Sequence, residues 1–118
     1  MNNKTMDTVN NVNTLINSFH DIWHLPALQL VNRAWRERTP SALLEAVNYT
    51  EQAITALEHL QTSVARLVQR DGSTITPEEA WRVANDLEEL ACSLQYITVE
   101  LGELAIAIAE KYAVNEIE

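Results

Sequence analysis

Cysteine appears once in this chain, as Cys92. A lone thiol cannot form an internal disulfide, a paired-thiol redox site or a cysteine-based zinc knuckle, and it fits a reducing, cytoplasmic setting. Glycine occurs twice and proline three times in 118 residues, too few for a turn-rich β architecture. Cations are also short, with 8 Lys and Arg against 17 Asp and Glu, a net charge of −9. No unbroken apolar stretch approaches the roughly 18 residues of a membrane helix. The start, from Met1 to Asp7, holds one lysine and no apolar run. The expectation is therefore neither a cleaved secretion signal nor a membrane span.

What is present is unevenly spread. Residues 1–70 carry six basic and six acidic side chains and are neutral, whereas residues 71–118 set Arg82 and Lys111 against eleven Asp and Glu and so hold the whole −9. Phosphate binding needs cationic surface, which argues against nucleic acid or anionic lipid as a partner of the C-terminal half.

Apolar residues recur at helical spacing throughout. Val9, Val12, Ile16, Phe19 and Trp23 fall on one face and predict a first helix over about 6–24. Pro26 disfavours α conformation at Leu25 and is expected to end it, with Leu28, Val31 and Trp35 marking a second helix over 27–38. Thr39-Pro40 reads as an N-cap with proline at the first helical position. A third helix over 40–70 follows, with a seam through Leu43, Val47, Thr50, Ile54, Leu57, Gln61, Val64 and Val68. Asp71-Gly72-Ser73 supplies a turn, and Thr76-Pro77-Glu78-Glu79 has the spacing of a capping box. Beyond it Val83, Leu87, Leu90, Leu94, Ile97, Leu101, Leu104 and Ile108 form a heptad seam without a polar interruption, in a fourth helix over 77–113.

These elements predict a single all-α domain over 1–118: an antiparallel bundle on a long helical hairpin (40–113), with two shorter N-terminal helices. Beside the leucine seam lies a stripe of small residues, Ala84, Ala91, Thr98 and Ala105. Together they make a face wider than one partner helix covers. A homodimer is therefore expected, through Leu87, Leu90, Ala91, Leu94, Thr98, Leu101 and Ala105.

Five local patterns carry chemistry. His20 and His24 stand at i and i+4, the spacing at which helical imidazoles chelate zinc, with Asp21 between them. Asp21 replaces the glutamate of a metalloprotease motif and Pro26 follows closely, so the expectation is helix-end histidines and no metal.

The run from Glu88 to Tyr96 resembles a helix of the all-α MazG-type nucleotide pyrophosphohydrolases, over about twenty residues. That resemblance implies magnesium held by paired carboxylate motifs on two helices. Cys92 stands where the family has aspartate, however, and Glu100 and Glu103 are on the same helix. Tyr112-Ala113-Val114-Asn115-Glu116 resembles the C-terminal Tyr-x-x-x-Glu signal of type VII secretion substrates with a Trp-x-Gly turn, although Trp81 here is followed by Arg82 and Val83.

Arg33, Trp35, Arg36 and Arg38 form a cationic cluster able to grip an acidic group, or simply to complement a helix C-terminus while Trp35 packs inward. Glu79, Asp86, Glu89, Glu100, Glu103 and Glu110 fall at two outward heptad positions and make an acidic band, the expected seat of a basic protein partner. With no complete acid-base, nucleophile or ligand set, the sequence points to a non-enzymatic interaction module, an adaptor, inhibitor or assembly factor without a cofactor.

Overall fold

Two caps set the register of the molecule. Thr39 Oγ1 accepts the Ala42 amide at 3.2 Å and opens the third helix, as its sequence predicts. Thr76 Oγ1 accepts the Glu79 amide at 3.2 Å while Glu79 Oε2 accepts the Thr76 amide at 3.4 Å, a reciprocal capping box that opens the fourth. The computed structural model describes the backbone of residues 2–71 and 75–117 and the side chains of 8–70 and 75–113. Every described residue is helical except those at 38, 39, 75 and 76. The elements are α1 (Asn2–Phe19), a π-turn (His20–His24), α2 (Leu25–Glu37), α3 (Pro40–Asp71) and α4 (Pro77–Ile117). Of the expected turn, residues 72–74 lie outside the described residues.

The break expected at Pro26 does not occur. The chain passes from α1 through the π-turn into α2 without leaving helical geometry, so residues 2–37 are one rod. The wider turn lets the Leu25 amide reach back to the His20 carbonyl. A regular helix would pair the Ile22 carbonyl with an amide at position 26, which proline lacks. Tyr49 on α3 donates its hydroxyl to that carbonyl instead, and its ring lies 5.3 Å from Trp23. A partner on another helix thus meets the demand that a lone helix satisfies only by stopping. The rod ends at Arg38, whose φ of 53° and ψ of 41° place it in the left-handed region, with its amide bonded to the Ala34 carbonyl at 2.7 Å.

The rod, α3 and α4 pack against one another in up-down-up order. Of the predicted α4 seam, Val83, Leu90, Leu94, Ile97, Leu101, Leu104 and Ile108 are buried and Leu87 is half-buried. The α3 seam is rotated from its prediction: Ala42, Ala46, Thr50, Ala53, Leu57, Leu60 and Val64 are buried, while Ile54 and Gln61 are exposed. Two adjacent heptad tracks run along α3, and three-helix packing selects the one with alanines at its start, where small side chains let a neighbouring backbone approach. The assembly measures 72 × 19 × 17 Å, and its Cα radius of gyration is 18.8 Å, against about 13.5 Å for a compact chain of this length.

By length and composition α4 could cross a bilayer, with a mean hydropathy of 1.3 over its best 18-residue window within Pro77–Ala113. The leucine seam that raises this value is packed against α1, α2 and α3.

Candidate functional site

The homodimer expectation rested on a leucine face left open by the hairpin. The rod closes that face within one chain: Leu90, Leu94 and Leu101 are buried and Leu87, Ala91 and Ala105 half-buried, leaving Thr98 exposed. Thr98 donates its hydroxyl to the Leu94 carbonyl at 3.0 Å. The apolar surface that α4 leaves uncovered lies elsewhere, at Trp81 (70% exposed), Tyr96 (62%), Val99 (54%) and Ile106 (61%). Sequence reasoning missed it because Val99 and Ile106, with Gly102 between them, sit among polar residues on the face opposite the leucines. The signal was there in the heptad spacing of Val99 and Ile106.

The acidic band does not form one straight stripe. An ideal helix drifts about 20° per heptad relative to a 3.5-residue repeat, so residues at one heptad position wind round it. Glu79 is half-buried and committed to the capping box. Asp86, also half-buried, and Glu89 line a groove facing the N-terminal rod. Glu89 accepts the Asn85 amide at 3.3 Å. Glu89 is exposed, as are Glu103 and Glu110 toward the C-terminus, and Glu100 is half-buried. Glu100 accepts a hydrogen bond from the Tyr96 phenol, and this bond, then the carboxylate charges nearby, holds that phenol above its ordinary pKa.

The arginine cluster carries its own counterions. Arg33 meets Glu37 at 3.1 Å and Glu45 at 3.4 Å on the exposed surface. Arg38 lies 5.5 Å over the Trp35 ring and donates to the Trp35 carbonyl at 3.2 Å. Trp35 packs inward as expected, half-buried, with its Nε1 buried and without a hydrogen-bond partner. Arg36 is exposed. Two carboxylates among the guanidinium groups leave this patch a poor anion trap.

The π-turn brings together two patterns that the sequence kept apart. His20, His24, Asp86 and Glu89 line one groove with Ile16, Asn17 and Leu90, between the rod and α4. His20 Nδ1 lies 2.9 Å from His24 Nδ1, so one ring donates and the other accepts. His24 Nε2 is hydrogen-bonded to Ser93 Oγ on α4. Burial first, and then the neighbouring His20, push the His24 pKa down, which favours a neutral ring. Ser93, His24 and His20 are thus in series, the order of a nucleophile, a base and an orienting group. Ser93 sits inside α4, where the helix uses the backbone amides that would hold an oxyanion, and the groove carries two carboxylates that would repel one. The third histidine, His59, is exposed on α3.

Among the described residues, no three His, Cys, Asp or Glu side chains are placed to hold a metal ion together. Among the described residues, Glu88 and Glu89, the carboxylates of the pyrophosphohydrolase-like run, join no cluster of three or more such ligands. Tyr112, the first residue of the secretion-like signal, is exposed, and the side chain of Glu116 lies outside the described residues. No protein-family model matches the chain, and no curated protein or solved structure matches it either.

Proposed function

We propose that the protein is a non-enzymatic docking module whose working surface is the outward face of the C-terminal half of α4, and that its partner is a basic protein. The observation carrying this reading is the pairing of exposed Val99, Ile106 and Tyr96 with Glu100, Glu103 and Glu110 on a helix whose other face is already packed. A solvated helix face has no need of aliphatic side chains, whereas an interface uses an apolar centre with a charged rim. The net charge of −9, all of it in the C-terminal half, favours a cationic partner and opposes a second copy packed charge to charge.

Capture of partners from the native host, with identification by mass, followed by binding of the purified partner tests the reading. Replacing Glu100, Glu103 and Glu110 together by Gln keeps helix propensity nearly unchanged and is expected to weaken the partner at least tenfold, mostly through slower association. Binding to the unmodified protein should fall as salt rises above ~0.15 M, where the screening length drops below about 8 Å. The control replaces Arg33, Arg36 and Arg38 by Gln. Should the control abolish capture while the glutamate variant keeps its affinity and salt dependence, the working surface is the arginine cluster.

A further inference from the structure

We infer that His20 and His24 form an open, two-nitrogen chelate for a late first-row divalent cation, with Zn²⁺ and Cu²⁺ the best fits. The geometry is local and specific. The two Nδ1 atoms face one another at 2.9 Å. With metal-nitrogen bonds of about 2.05 Å this separation subtends an angle near 90°, and opening it to about 3.3 Å gives a tetrahedral angle. A side-chain rotation of a few tenths of an ångström covers the difference. The π-turn contributes directly, because its wider turn brings residues four apart closer to eclipsed than a regular helix does.

The second support comes from α4. Ser93 Oγ occupies His24 Nε2, which leaves Nδ1 as the nitrogen facing the groove and fixes the ring plane. Metal-bound histidines are oriented in this way by a partner on the other ring nitrogen. Asp86 and Glu89 line the same groove, where their charge favours a cation over the neutral water it would displace. With only two side-chain donors converging, water or a group from a partner fills the remaining positions. Imidazole pairs select by the order in which Cu²⁺ exceeds Zn²⁺ and both exceed Mn²⁺. Mg²⁺ and Ca²⁺ prefer oxygen cages and have no claim on this pair.

The chain has three histidines, so proton NMR of the untagged protein reads the site directly. On titration with Zn²⁺ the ring signals of His20 and His24 are expected to shift together and saturate at one equivalent, while those of His59 stay in place. Calorimetry should give one site, weakened at least tenfold in His20→Asn and in His24→Asn, and by about tenfold in Ser93→Ala. His20 is exposed, so His20→Asn tests the site even if His24→Asn disturbs the fold. With Co²⁺ the visible spectrum should show nitrogen and oxygen ligation. The inference is overturned by undiminished Zn²⁺ binding in His20→Asn, which assigns the ion to the acidic surface. A cobalt-thiolate absorption, which assigns it to Cys92, overturns it too, as does the lack of saturable binding below about 0.1 mM.

Discussion

At the scale of single residues, Gly102 and Tyr96 make opposite use of an exposed position on α4. A side-chain carbon added at Gly102 would meet nothing within 4 Å. Glycine inside a helix costs about 1 kcal/mol relative to alanine, so Gly102→Ala is expected to stabilise the fold by about that amount and raise Tm by about 4 °C. Thermal unfolding followed by circular dichroism checks it. An unchanged or lowered Tm would mean that the open space is used by something packing against it. Tyr96 donates to Glu100, and the neutral phenol is the form that can donate. In a spectrophotometric titration its ionisation should lie above that of an unrestrained tyrosine, and Glu100→Gln should bring it down. The folded-state pKa is raised because deprotonation sets a phenolate beside a carboxylate. This contact therefore weakens as pH climbs through the tyrosine range and is intact at neutrality.

At the scale of elements, the rod and α4 each depend on a contact outside themselves. In the rod, Pro26 and Tyr49 form a functional pair. Tyr49→Phe removes the donor to the Ile22 carbonyl and is expected to cost about 1 kcal/mol. In a Pro26→Ala background the backbone can supply an amide, and the same change should then cost appreciably less, giving a coupling energy of about 0.5–1 kcal/mol in a double-mutant cycle. Additive effects would show that the π-turn needs no outside donor. In α4, Leu94 is only 2% exposed at the centre of the core. Leu94→Ala should cost about 3 kcal/mol by denaturant unfolding, and Leu94→Asp should unfold the chain rather than separate subunits. By contrast, Val99→Asp with Ile106→Asp should leave the melting curve within about 1 kcal/mol of the original, since both side chains face outward.

At the scale of the whole molecule, shape and charge act together. A rod 72 Å long and under 20 Å across presents one long edge, and its charge is concentrated in the C-terminal half. For the basic partner proposed above, acidic surface of this kind would set the speed of encounter more than the strength of the complex. The same charge bears on self-association. The leucine seam that called for a second copy is packed within the chain, and on α4 the Val99 and Ile106 face is the apolar surface a second copy could use. Light scattering at ~50 μM separates the cases: in a dimer through that face, the Val99→Asp, Ile106→Asp double variant becomes a folded monomer. If the unmodified protein is already monomeric, that face is open to a different protein.

The all-helical architecture, the caps at Thr39 and Thr76 and the α4 seam were legible in the chain because each depends on contacts within a few residues or on a period repeated over many turns. Local signals of this kind survive in one dimension. The continuity across Pro26 was not legible, since the Ile22 carbonyl that proline leaves without an amide is met by a hydroxyl 27 positions away from it in sequence. Nor was the choice between the two α3 tracks. Ala46 and Ile54 both fit a helical face, and only the arrival of two neighbours decided that the alanine goes inside. The sequence named His20, His24, Asp86 and Glu89 as members of separate patterns. Their meeting in one groove is tertiary, because it needs the π-turn to swing the imidazoles toward α4 and three-helix packing to carry the two carboxylates to them. Periodicity and capping are properties of a chain, and which faces meet is a property of how many helices share the core.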